Sequence, residues 1–132
     1  MPRHVINPDS LFDSVQYGFS QITVGEGRRI VTISGQVGWN AREEIAGDDL
    51  ETQTMAAFAN LDTAIRAAGG TRDDILSLRI YIVAGVMDQQ AAIGRALRHY
   101  FPADPPTANW IGVALLSDPA FLVEVEAMAV LD

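Results

Sequence analysis

The sequence predicts an α+β domain of two layers, a mixed sheet carrying two helices on one face. Three observations lead there. Period-two alternation of apolar and polar residues recurs in separate stretches, and two longer stretches repeat apolar residues at spacings of three and four. In chain order these signals read strand, strand, strand, helix, strand, helix, strand, strand. No internal repeat or low-complexity linker divides the 132 residues, so residues 1–132 are read as a single domain.

Val5 and Ile6 form a short first strand before the turn at Asn7-Pro8-Asp9. Residues 17–24 and 28–35 alternate around Gly25-Glu26-Gly27, which predicts a hairpin whose turn uses the positive φ that glycine tolerates. In its second strand Ser34 shares a face with Ile30, Thr32 and Gln36. Asp49 is placed to cap a helix in which Ala57, Phe58, Leu61, Ala64, Ile65 and Ala68 line one side, and Gly69-Gly70 ends it. Residues 75–83 follow as a strand, with Leu76, Leu78, Ile80 and Ile82 on one face and Ser77, Arg79, Tyr81 and Val83 on the other.

A second helix over 88–101 presents Ile93, Leu97 and Tyr100. Arg98 and His99 fall in its last turn, where cations suit the helix dipole, and Pro102 stops it. Gly94 inside that helix costs about 1 kcal/mol relative to alanine. It calls for a packing reason, either close approach of a strand or room for a ligand. Residues 107–113 and 121–130 are the last two strands, joined by a loop around Ser117, Asp118 and Pro119.

Composition narrows the function classes. Apolar residues make up 48% and charged ones 20%, as in folded soluble domains, and no apolar run approaches the ~20 residues of a membrane span. The start of the chain lacks the hydrophobic core of a signal peptide, which points to a cytoplasmic protein. Without cysteine there is no thiol nucleophile and no thiolate metal site, and His4 and His99 lack a ligand-like spacing, so neither metal nor cofactor is expected. A formal charge of −8, with 9 basic residues against 17 acids, disfavours nucleic acid as a partner.

The C-terminal strand carries the clearest functional signal. Val123, Val125, Ala127 and Ala129 alternate with Leu122, Glu124, Glu126 and Met128, so one face is core and the other mixes two carboxylates with large apolar groups. An antiparallel sheet can leave one face wet. A face that mixes acids with bulky apolar groups is more often a cleft or an interface. Two helices cover one side of a sheet of five or six strands, which leaves Tyr81, Val83, Trp110, Leu122 and Met128 without a partner in the chain. Another subunit is the simplest cover.

Several short motifs fall in one register: Ser34-Gly35-Gln36 after a strand, Gln53 with Asn60-Leu61 and Ala68-Gly69 on a helix, and Asp74-Ile75 opening a strand. Tyr100-Phe101-Pro102, Pro105-Pro106, Gly112-Val113 and Val123-Glu124-Val125-Glu126-Ala127 continue it. In this order the chain resembles the RidA/YjgF (reactive-intermediate deaminase) family over nearly its whole length. The resemblance implies a chorismate-mutase-like fold and a homotrimer with small-molecule clefts between subunits. It maps the family's cleft glutamate onto Glu124, its tyrosine onto Tyr17, and its strand-end serine and glycine onto Ser34 and Gly35. Taken singly, Tyr17, Ser34 and Gly35 are more readily packing and turn residues.

Deaminase-type members carry an arginine in a Pro-Ala-Arg motif, taken to hold the substrate carboxylate while water adds to a C=N carbon. Here Pro106-Thr107-Ala108 stands in that place. Ala108, Asn109 and Trp110 are therefore candidate ligand neighbours without the cation, and Trp110 faces the cleft if Ala108 does. Two readings follow. One is an imine or enamine hydrolase with altered substrate, with Glu124, coupled to Glu126, orienting or deprotonating water. The other is a non-catalytic trimer that binds a small metabolite. Arg79 shares the face of the glutamates, so it is expected either to form a salt bridge with one of them or to replace the missing guanidinium.

Overall fold

The computed structural model describes residues 2–132. Its elements are β1 (His4–Ile6), β2 (Ile22–Val24), β3 (Arg29–Gln36), α1 (Leu50–Ala67), β4 (Ile75–Val83), α2 (Ala91–Tyr100), β5 (Thr107–Val113) and β6 (Val123–Leu131). Four strands form the main sheet in the order β3-β6-β4-β5, and β1 and β2 form a separate antiparallel ribbon. β6 runs antiparallel to both β3 and β4, whereas β4 and β5 are parallel.

This order explains why both helices lie on one side. β3 and β4 point the same way and are joined through α1, and β4 and β5 are joined through α2. Two right-handed crossovers stepping in one direction along a sheet deposit their helices on the same face. The core sits in that layer. Phe58, Leu61 and Ile65 of α1 and Ile93 and Leu97 of α2 close over Leu78, Ile80, Ile82, Val123 and Val125 of the sheet.

α1 begins where its cap requires. The Asp49 side chain accepts the Thr52 N–H at 3.0 Å, an interaction typically worth about 1 kcal/mol. The Thr52 side chain, and after it this N–H, hold the Asp49 carboxyl below its usual range. At the far end Gly69 adopts φ +95°, the left-handed conformation that lets the chain leave the helix. Gln53 is fully buried on α1 and satisfied at both ends. It donates to the carbonyls of Gly47 and Ala120, each at 2.9 Å, and accepts the Leu122 N–H at 2.8 Å. Asn60 donates to Val37 and Trp39 at 2.9 and 2.8 Å. These two amides tie the loop after β3 and the start of β6 to the same helix, and so fix the relative position of Ser34, Gly35 and Glu124.

The predicted hairpin of residues 17–24 and 28–35 does not form. β2 shrinks to Ile22–Val24 and pairs with β1, while β3 pairs with β6. Neither Gly25 nor Gly27 has a positive φ. Their lack of a side chain serves close packing instead: a Cβ on Gly25 would lie 2.6 Å from the Leu76 Cδ2, and one on Gly27 would collide with the Leu131 carbonyl. The sheet accordingly has four strands rather than five or six.

β4 keeps its predicted bounds, but a bulge between Ile75 and Ser77 buries Ile75 and Leu78 and turns Leu76 toward Gly25. A 3₁₀ segment, Ala84–Gln89, takes the first residues assigned to the second helix, so α2 starts at Ala91. Gly94 allows close approach of a turn rather than a strand: an added Cβ would lie 3.3 Å from the Tyr17 carbonyl.

Candidate functional site

The open face of the sheet is built from residues that register places side by side. β6 sets Met128 against Ser77, Glu126 against Arg79 and Glu124 against Tyr81, while β3 sets Thr32 against Met128. The alternation predicted for β6 holds: Val123, Val125, Ala127 and Ala129 are buried, and Glu124, Glu126 and Met128 lie on the opposite face. The apolar part of this face is uncovered, with Ile30 74% and Met128 42% exposed.

The two carboxylates have different environments. Glu126 accepts a hydrogen bond from the Tyr81 hydroxyl, and its Oε1 lies 3.7 Å from Arg79 Nη1. Arg79 therefore meets a glutamate of the C-terminal strand, the ion pair expected for it. Glu124 has no hydrogen-bond or ion-pair partner among the described residues. It lies across Gly35 at a bulge, where β3 advances three residues from Ile33 to Gln36 while β6 advances two. A Cβ on Gly35 would stand 2.6 Å from the Glu124 Cδ and 2.9 Å from its Oε2. The structure thus brings together Glu124, Gly35 and the exposed Ser34, and leaves one half-buried carboxylate uncommitted. Beside them a cleft of about 210 Å³ is lined by Thr32, Ser77, Arg79, Glu126 and Met128.

Glu126 pushes the Tyr81 phenol above its ordinary value of about 10, because the hydroxyl proton is held by a carboxylate. A folded-state pKa that is raised gives stability fully present below the ordinary phenol value and lost as pH climbs from there through the raised value. Tyr81 is thus expected to form its phenolate above pH 10, and Glu126→Gln to bring that step down toward it. Phenolate absorbance in an alkaline titration of the two proteins checks it.

Tyr17, Ala108 and Trp110 are not on this face. Parallel pairing sets Ala108 beside Leu78 and Trp110 beside Ile80, both core residues, and sets Asn109 beside Arg79. Asn109 therefore shares the carboxylate face, whereas Ala108 is buried on the helix side and Trp110 packs against the core there. Leu122 likewise packs against the core, so neither it nor Trp110 belongs to the uncovered surface. Tyr17 ends a 3₁₀ turn rather than lying in a strand.

Tyr17 and Trp110 line a second recess of about 610 Å³ together with Gln16, Gln90, Arg95 and Arg98. The four polar residues were missed in the sequence. Ala91, Gly94, Arg95 and Arg98 recur at three, four and seven, so the helical period would have shown that they share a side of α2. Among the described residues no cluster of histidine and carboxylate is arranged to hold a metal, and no helix is long and apolar enough to cross a membrane.

The sequence pattern of the family described as Endoribonuclease L-PSP matches residues 14–131. The chain belongs to the RidA/YjgF family. The Rid-family protein YyfB of Yersinia pestis is 41% identical, with 99% of this chain and 100% of that one aligned at a TM-score of 0.92. TdcF of Escherichia coli, whose structure contains bound serine, is 27% identical over 78% of this chain and 81% of its own, at a TM-score of 0.71. A YjgF-family protein of Mycobacterium tuberculosis is 25% identical over 98% and 99%, at 0.69. The α+β, chorismate-mutase-like fold expected from the sequence is the fold of this RidA/YjgF family member. Ala108 stands at the position where the resemblance places the arginine of a Pro-Ala-Arg motif.

Proposed function

We propose that this protein is a cytoplasmic homotrimer that hydrolyses an imine or enamine in clefts between its subunits, on a substrate different from that of the arginine-bearing members. The observation that carries this reading is the uncommitted Glu124 carboxylate lying over Gly35. A carboxylate so placed can take a proton from water as the oxygen adds to the C=N carbon. Returned to nitrogen, that proton completes a carbinolamine, and passing the proton of its hydroxyl to nitrogen by the same carboxylate lets ammonia leave as the carbonyl forms.

The split between the two halves of the site supports a cleft shared by subunits. Glu124, Gly35, Ser34 and Asn109 lie on the open sheet face, while Tyr17 and Trp110 lie on the helix side of β5. β5 is an edge strand of the main sheet, so a neighbouring subunit can bring its own open face up to it. The bare apolar surface around Ile30 and Met128 is of the kind that association covers. Bound serine in TdcF supports a ligand of metabolite size. RNA is disfavoured by the excess of acids.

The non-catalytic alternative, a trimer that only binds a metabolite, is favoured by one feature, the buried alanine at position 108. Light scattering and an ammonia-release assay decide between them. The protein is expected to be a trimer at micromolar concentration, to give little turnover with the imine of alanine, and to accelerate hydrolysis of a bulkier imine made in situ by an amino-acid oxidase. A monodisperse monomer would remove the shared cleft, and a trimer inert toward every imine would leave the binding role.

A further inference from the structure

We propose that the recess beside Trp110 is an anion site in which Arg98 is the cation, and that its ligand is a carboxylate carried on a ring or similarly bulky apolar body. This deepens the cleft reading above and rests on it for the second wall, but its own residues all lie on one chain.

The charge of the walls comes first. The chain carries a formal charge of −8, yet this recess is lined by two arginines and by no aspartate or glutamate. The two arginines are not equivalent. Arg95 is held by Glu51, with Nε 2.9 Å from Oε1. Arg98 has no carboxylate partner among the described residues and gives only one bond, from Nη1 to the Gln16 carbonyl at 3.1 Å. The edge formed by Nε and Nη2 stays uncommitted. That edge can donate two parallel, charge-assisted bonds to a carboxylate, the geometry for which guanidinium is suited. The guanidinium lies over Gly94, with Nη1 3.4 Å from where a Cβ there would stand.

Size and surface then set the rest of the ligand. A volume of about 610 Å³ falls within the ~300–1,000 Å³ typical of small-molecule pockets and is far more than a three-carbon acid fills. Two of the walls are aromatic. Tyr17 is 50% exposed, and Trp110 packs against Phe19 with ring centroids 6.1 Å apart. The Trp110 indole N–H is enclosed and has no acceptor among the described residues. Flat apolar ligands pack well on such walls.

Calorimetric titration with three probes separates charge from bulk: phenylacetate, the isosteric but neutral phenylacetamide, and acetate. Phenylacetate is expected to bind at least about tenfold more tightly than either of the others. Arg98→Gln is expected to remove that preference and leave phenylacetamide unchanged, since loss of a charge-assisted contact costs about a factor of ten or more. Should Arg98→Gln not fold, Arg98→Lys keeps the charge without the fork and is expected to bind phenylacetate more weakly than the unaltered protein. Equal binding of phenylacetate and phenylacetamide, acetate binding as well as phenylacetate, or a substituted Arg98 that binds phenylacetate unchanged would each overturn the assignment. Glu124→Gln, run in parallel, keeps the two proposals apart. Phenylacetate binding that depends on Arg98, in a trimer inert toward imines, supports the anion site and refutes the hydrolase.

Discussion

Replacing Glu124 by glutamine is expected to lower imine hydrolysis by about 10²- to 10⁴-fold, the range a positioned proton-transfer group contributes. The oligomeric state should not change. Glutamine keeps the shape of the side chain that lies across Gly35 but cannot take a proton from water. Glu124 has no hydrogen bond or ion pair among the described residues to lose, so the melting temperature should barely change. Glu126→Gln is the control. Glu126 is engaged by Tyr81 and Arg79, so its substitution should disturb that network and the Tyr81 titration far more than turnover. Ammonia release measured beside thermal unfolding reads both. Turnover unchanged in Glu124→Gln would mean that the only uncommitted carboxylate of this pair takes no part in the chemistry.

Gly35→Ala is expected to reduce turnover by about 10²-fold, because a displacement of the order of 1 Å in a catalytic group costs that much. The added methyl would stand 2.6 Å from the Glu124 Cδ and 2.7 Å from its Cγ, closer than non-bonded carbons approach. Something must move, and the end of a flexible glutamate moves more easily than a bulged backbone braced through α1. The exposed position of Gly35 at the bulge means that no core packing is lost, so folding stability should fall by less than about 1 kcal/mol. A melting curve and a rate measured on one preparation test the pairing. Full activity in Gly35→Ala would show that Glu124 acts from another rotamer, and a large loss of stability would make Gly35 a structural residue of β3.

The signals that were legible in the sequence were local ones. Asp49, the Ala57, Phe58, Leu61 and Ile65 stripe and Gly69 specified α1 with its ends, because capping and helical period depend only on near neighbours. Alternation in β6 put Glu124 and Glu126 on one face for the same reason. The motif register brought Ser34 and Gly35 to Glu124, and the structure adds the cause: only a residue without a side chain leaves space for that glutamate. Gly25-Glu26-Gly27 misled because glycine serves positive φ and close approach alike, and a sequence does not tell which.

The sequence by itself determined the elements, their faces, and the family through its register of short motifs. Only the tertiary structure decided which strands pair, and through that which site each residue joins. Backbone hydrogen bonds carry no identity, so a strand's own pattern cannot name its neighbour. β3 left its expected hairpin for β6, and β5 took its phase from β4. That phase turned Ala108 and Trp110 toward the helices and Asn109 toward the carboxylates. It also put Trp110 in the wall of the same recess as Arg98, two residues from different elements that no periodicity connects.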